Sequence, residues 1–181
     1  MQRPCKIEIK STRKIYPPVP QGQNPSPLEE EWEEILYAEG MEPEDMFPDG
    51  GNALPGIPPA STVLCASGIF ALEEDGTYRI SYEDTEITGL EGCLTTFCLS
   101  NSGMLIMLRR GSVNTCMIFE EKGRHLCDYG ARGGVPPVVL HTHELDFDLS
   151  LDGGKIFVRY AVEIRGTRTE ENELDISVTL Q

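Results

Sequence analysis

Apolar and polar residues alternate along several segments of the chain. In residues 155–165, one face carries five apolar side chains with charged ones between them: Ile156, Val158, Tyr160, Val162 and Ile164. The same period of two runs through residues 5–11, 78–82 and 173–180. Because successive side chains of a β-strand point to opposite faces, this pattern predicts strands with one buried and one solvated face.

Turn-forming residues separate these segments at a spacing of about ten residues, which is typical of a β-sandwich or barrel. They lie at Asp75-Gly76, Gly89, Asn101-Ser102-Gly103, Gly111, Gly123, Gly133-Gly134, Asp152-Gly153-Gly154 and Gly166. No helical pattern intervenes between the segments, which argues against a parallel α/β sheet. We therefore predict a single all-β, antiparallel domain over residues 1–181 with about nine or ten strands.

Residues 16–60 interrupt the alternation with an acidic, proline-rich insertion. It holds ten of the 13 prolines, ten acidic residues and no Lys or Arg. Ser26 predicts a helix N-cap, Pro27 the first helical position and Gly40 the stop, which gives a helix over about 27–39. One apolar stripe runs along it, formed by Leu28, Trp32, Ile35 and Leu36. Because a lone helix of this length is marginal in water, we expect the stripe to pack on the barrel or on a partner protein.

The net charge and the cysteines limit the classes of binding partner and the cellular compartment that we expect for this protein. A formal net charge of −15 argues against nucleic acid and against anionic membrane surfaces as binding partners. The first ten residues contain no apolar signal-peptide core, and no apolar run reaches the length of a membrane span. The six cysteines form no CxxC pair. We therefore expect a cytoplasmic protein whose cysteines are buried, reduced thiols.

Several motifs together resemble the YwiB-like family, a bacterial domain of unknown function. They are TYRISYEDTEITGLEGCLTT, MLRRGSVNTCMIFEEKGRHLCDY and VVLHTHELDFDLSLDGGKIFVRYAVEI. The matching positions are Gly68, Tyr82, Glu86, Gly89, Thr95, Arg109, Gly111, Phe119, Arg124, Tyr129, Thr142, Gly153 and Tyr160. The chain departs from the family pattern in the long insertion and in the GARGG segment after Tyr129. The resemblance implies a calycin (lipocalin-like) β-barrel, and by analogy a barrel that holds one small apolar ligand.

Two arginines at these positions are candidates for an anion site. Arg109 and Arg124 flank glycine turns on either side of the strand around residues 114–120. An antiparallel arrangement of these strands therefore predicts that both arginines lie at one rim of the barrel. There they are expected to bind a carboxylate or phosphate head. The alternative is a structural role, with Glu86 or Asp84 neutralising them. The candidate ligand-binding residues are Tyr82, Glu86, Arg109, Arg124, Tyr129 and Tyr160.

The segment His141-Thr142-His143 admits two interpretations. On a regular strand both imidazoles share a face and could bind one metal ion with a third ligand. With a bulge near Thr142, residues 138, 140 and 142 point inward and both histidines point outward. The second interpretation is favoured, so no metal or cofactor is predicted.

We therefore predict a non-catalytic barrel that binds a small, largely apolar ligand. No nucleophile motif such as GxSxG occurs, so an enzymatic role has little support. The alternative is an interaction module in which the insertion helix or a barrel edge engages another protein or a second copy of the chain. An empty lumen favours the first function, whereas a filled barrel with an exposed apolar patch favours the second.

Overall fold

The computed structural model describes residues 2–15, 60–85, 90–127, 138–164 and 167–181. These residues form ten β-strands and no helix. The strands are β1 Gln2–Ile15, β2 Ala60–Leu72, β3 Tyr78–Glu83, β4 Leu94–Leu99, β5 Leu105–Arg110, β6 Thr115–Phe119, β7 Arg124–Cys127, β8 Val138–Ser150, β9 Gly153–Ile164 and β10 Thr167–Leu180. The predicted all-β, antiparallel class and the strand number are confirmed.

The ten strands form one antiparallel sheet that curls into a nearly closed barrel. Their order is β6-β5-β4-β3-β2-β1-β10-β9-β8-β7. Strands that follow each other in the chain are paired in the sheet, except β6 and β7, which form its two edges. The first and last strands, β1 and β10, are also paired. The strands β6 and β7 face each other at a seam. Across this seam the Cys127 thiol donates a hydrogen bond to the Cys116 carbonyl oxygen at 2.8 Å. This contact satisfies one backbone acceptor that the edge strand would otherwise expose.

The predicted alternation places one face of each strand in the barrel core. On β1, β9 and β10 the buried positions are Cys5, Ile7, Ile9, Ile156, Val158, Tyr160, Val162, Ile176 and Val178. The largest side chains with no contact to solvent include Phe70, Phe97 and Phe119. Each such side chain stabilises the fold by about 1.5–3 kcal/mol relative to an exposed position. These side chains fill the lumen over much of its length.

Strand β8 changes face at a β-bulge. Thr142 is paired with Tyr160, whereas Glu144 is paired with Arg159, so His143 is the extra residue between them. The inward side chains are Val138, Leu140 and Thr142 before the bulge and Leu145 after it. The interpretation in which both histidines point outward is therefore confirmed.

Gly68 on β2 lies between two neighbouring strands that approach its backbone closely. It is opposite Cys5 on β1 and Tyr82 on β3. A Cβ atom at this position would overlap the Ser81 carbonyl oxygen and the Ile7 side chain. Glycine therefore permits the tight bend of β2 against its two neighbours.

Strand β1 ends at Ile15 and β2 begins at Ala60. The predicted insertion therefore lies outside the described residues, apart from Ala60, and so does its helix at about 27–39. Within the described ranges no helix is long and apolar enough to cross a membrane.

All six cysteines are free thiols. Cys5, Cys93 and Cys127 are buried and Cys98 is half-buried, as expected for small apolar side chains. The expectation of burial is wrong for Cys65 and Cys116, which are exposed. Both point outward, because their neighbours along the strand, such as Leu64 and Met117, point into the barrel.

Candidate functional site

A cavity of about 340 Å³ opens at the end of the barrel where β1 ends and β2 begins. Its apolar lining consists of Ile9, Ala60, Leu64, Leu90, Met107 and Leu174. Its polar lining consists of Ser11, Arg13, Thr62, Tyr82, Arg109, Tyr160, Glu170 and Asn172. Within the described residues, the lumen is therefore packed toward one end and holds a cavity with a mixed lining at the other.

Arg109 enters this cavity from β5. It follows Leu105 and Met107 at the spacing of two that keeps a side chain on the inner face, and it stands opposite Thr95 and Thr115. Its Nε atom is buried and has no hydrogen-bond partner among the residues that the structure describes. No carboxylate oxygen of the described residues lies within ion-pair distance of its guanidinium. A buried, unpaired donor of this kind costs free energy unless a ligand or water satisfies it.

Tyr82 and Asp84 stand beside Arg109 on the inner face. Tyr82 is opposite Thr95, the residue that also faces Arg109. Burial raises the pKa of the Tyr82 phenol well above its usual range, and the charge of Asp84 raises it further, while Arg109 and a hydrogen bond with Thr95 act in the opposite direction. Tyr82 is therefore a neutral hydroxyl at physiological pH, able to donate a hydrogen bond.

Asp84 is a buried carboxylate with its own partner. The Thr95 hydroxyl donates a hydrogen bond to its Oδ2 atom, and the Asp84 N–H donates to the Cys93 carbonyl oxygen at 2.8 Å. Asp84 is only 6% exposed and does not line the cavity. Its charge acts on the site through the neighbouring Tyr82 rather than by contact with the cavity.

The opposite wall is formed by β9, β10 and the end of β1. Asn172 stands between Tyr160 and Arg13 in one cross-strand row, and Tyr160 packs its ring against Phe119 at 4.9 Å. The Asn172 Nδ2 group is buried, and no described residue accepts a hydrogen bond from it. Arg13 forms an ion pair with Glu170 at 2.7 Å, so these two charges offset each other at the cavity rim.

The structure brings three of the predicted ligand-binding residues together: Tyr82, Arg109 and Tyr160 all line the cavity. It does not bring Arg124 to them. Arg124 is paired in register with the outward-facing His141 and forms an ion pair with Glu163. The predicted convergence of the two arginines at one rim is therefore wrong, because they lie on opposite faces of the sheet. Glu86 and Tyr129 lie outside the described residues.

The two histidines lie on the outer face of the barrel. Their ring centroids are 4.5 Å apart in an edge-to-face arrangement, and His141 Nδ1 is 4.0 Å from Glu163, which Arg124 already engages. Among the residues that the structure describes, no group of three metal-ligating side chains converges.

Sequence reasoning did not identify Arg13 and Asn172 as residues of the site. Both continue an alternation that was recognised: Arg13 follows Cys5, Ile7 and Ile9 in register, and Asn172 precedes Leu174. A polar residue at an inward position of an alternating strand is the signal that points to them.

A second hollow of about 530 Å³ lies on the outer face of β10, β1 and β2. Small or charged side chains surround it: Lys6, Glu8, Cys65, Ser67, Ser177 and Thr179. Cys65, Ser67 and Thr179 are exposed, and none of the buried polar groups of the barrel lies there. The end cavity is therefore the stronger candidate for a binding site, although it is smaller.

The fold and the cavity define an antiparallel ten-stranded β-barrel with a polar site at one end. The chain belongs to the DUF1934 family, a domain of unknown function, whose model matches residues 60–176. Its structure is similar to the crystal structure of the ywiB protein from Bacillus subtilis, with a TM-score of 0.62 and 15% sequence identity. That match covers 97% of this chain and 92% of the other. A search of the curated proteins found no match.

Proposed function

We propose that the barrel binds a small amphipathic acid in the end cavity, with the acidic group at Arg109 and a short apolar part against Ile9, Leu64 and Met107. The binding involves no chemistry on the ligand. The observation that carries this proposal is the half-buried Arg109 side chain in the cavity, whose buried Nε–H has no hydrogen-bond partner among the described residues.

The charges of the lining support an anionic ligand. Three charged side chains line the described part of the cavity, and Arg13 and Glu170 neutralise each other. Arg109 is left with a net positive charge in a partly buried setting. A guanidinium presents its N–H groups as a planar fork that matches a carboxylate, and such charge-assisted hydrogen bonds are about twice as strong as neutral ones.

The volume sets the size of the ligand. A cavity of about 340 Å³ has room for about eleven water-sized groups of roughly 30 Å³ each. It lies at the lower end of the range of small-molecule sites. The described part of the cavity therefore suits a short-chain acid. The analogy with calycin barrels also suggests a ligand inside the barrel. The ligand proposed here is smaller and more polar than the one that this analogy implies.

Calorimetric titration with hexanoate tests the proposal. We expect wild-type protein to bind this six-carbon acid, and Arg109→Met to lose at least about tenfold in affinity, the loss expected for a hydrogen-bonded charge pair. The matched control is Arg110→Met, which removes the same charge from the adjacent exposed position on the outer face. Equal affinities for the two variants, or no binding to wild type at millimolar hexanoate, would rule the proposal out.

A further inference from the structure

The cavity contains a second buried donor that the acidic head of such a ligand does not reach. Asn172 is 6% exposed and lines the cavity, and its Nδ2 group has no hydrogen-bond partner in the described part of the chain. In the strand order, β10 stands five positions from β5 in either direction around the barrel. Asn172 and Arg109 therefore lie on opposite walls, and one carboxylate at Arg109 leaves the amide of Asn172 unsatisfied.

The chemistry of the second wall indicates what meets Asn172. An N–H donor requires an acceptor oxygen or nitrogen on the ligand. Glu170 lies on the same wall, and its partner Arg13 is already engaged at 2.7 Å. Among the described residues that line this wall, no further cation would compensate a second full negative charge beside Glu170. A neutral acceptor meets the amide without that repulsion.

We propose that the ligand is a short-chain carboxylic acid that carries a neutral carbonyl or carboxamide at its far end, with the carboxylate at Arg109 and the neutral acceptor at Asn172. This inference rests on the proposed function and specifies the ligand class of the same site. The apolar side chains Ile9 on β1, Leu64 on β2 and Met107 on β5 line the same cavity and suit a short methylene spacer. The two buried donors then fix both ends of one molecule.

Three acids of similar length test the inference by calorimetric titration: hexanoate, 5-oxohexanoate and glutarate. We expect 5-oxohexanoate to bind wild-type protein about fivefold or more tightly than hexanoate, which corresponds to one added neutral hydrogen bond. In Asn172→Leu, which keeps the side-chain volume, the two affinities are expected to become equal. In Arg109→Met, all three acids are expected to bind weakly.

The outcomes separate this inference from the proposed function. If hexanoate and 5-oxohexanoate bind wild type equally well, the second contact is wrong and the acid site at Arg109 stands. If glutarate binds more tightly than 5-oxohexanoate, the group that meets Asn172 is anionic, and the proposed neutral acceptor at that end of the ligand is wrong. If none of the three acids binds, the proposed function fails and this inference fails with it. A thermal melt of Asn172→Leu verifies that the variant is folded; should it not fold, the comparison of the three acids on wild type decides alone.

Discussion

Arg109 on β5 and Asn172 on β10 lie on opposite walls of one cavity, five strands apart in either direction around the barrel. Both present a buried N–H group that no described residue engages in a hydrogen bond. Buried polar groups in folded proteins are nearly always hydrogen-bonded, and exceptions call for an explanation. A bound molecule with an acceptor at each end explains both exceptions together.

Thr95 is predicted to stabilise the barrel through Asp84. Its hydroxyl donates a hydrogen bond to a carboxylate that is 6% exposed, so Thr95→Val deprives a buried charge of a donor. The expected loss is about 2 kcal/mol in the free energy of unfolding, measured by urea denaturation. The control is Thr96→Val, which removes a hydrogen bond of 3.1 Å to Ser81 on the outer face and is expected to cost under about 1 kcal/mol. Equal losses for the two variants would contradict the assignment.

Gly68→Ala is predicted to destabilise the fold strongly. The new Cβ would overlap the Ser81 carbonyl oxygen and the Ile7 side chain, and the backbone of β3 cannot move without disturbing its own ladder. Overpacking of this kind costs about 3 kcal/mol. The neighbouring Ser67→Ala changes an exposed position and is expected to be nearly neutral. A melting temperature for Gly68→Ala within a degree of wild type would show that the strands have more room than the structure indicates.

The raised pKa of Tyr82 predicts a loss of stability at alkaline pH. In the unfolded chain the phenol loses its proton near pH 10, whereas burial holds it protonated in the folded state. Above pH 10 the unfolded state therefore binds fewer protons, and stability falls by up to about 1.4 kcal/mol per pH unit from this group. Tyr82→Phe removes the contribution. The stability advantage of wild type over Tyr82→Phe is expected to be constant below pH 9 and to shrink above pH 10; an advantage that stays constant to pH 11 would argue against a buried phenol.

Removing residues 16–59 is predicted to leave a cooperatively folding barrel. The ladder between β1 and β2 is continuous from Gln2 opposite Ala71 to Arg13 opposite Ala60, so a short Gly-Ser bridge can close it as a hairpin. Loop-closure entropy changes slowly with length, which limits the effect on stability. Circular dichroism melting tests this. A broad, non-cooperative melt would mean that the deleted segment is part of the core.

The alternation of apolar residues made most of the fold predictable. Residues 156, 158, 160 and 162 all point into the lumen, because a strand with one buried face allows only one register of its side chains. The same logic failed for Arg124. Strand β7 has only four residues, and their sequence RHLC contains no alternation that distinguishes the inner face from the outer one. The pairing of Arg124 with His141 decides its orientation, and that pairing is a tertiary contact.

The candidate site was predictable in part. Tyr82, Arg109 and Tyr160 were identified from the resemblance, whereas Arg13 and Asn172 were missed although each continues an inward alternation. The cavity itself could not be predicted. It depends on how far the side chains of non-adjacent strands reach into the lumen, and on which ends of those strands meet.

Binding of an acidic ligand at Arg109 can be followed through the Arg109 Nε–H resonance in a proton–nitrogen NMR spectrum during titration with hexanoate. The Arg109→Met spectrum identifies the resonance by its loss. We expect a saturable shift of this signal, with the Arg110 Nε–H signal unchanged as the internal control. An Arg109 Nε–H signal that does not move while the acid reaches millimolar concentration would contradict it.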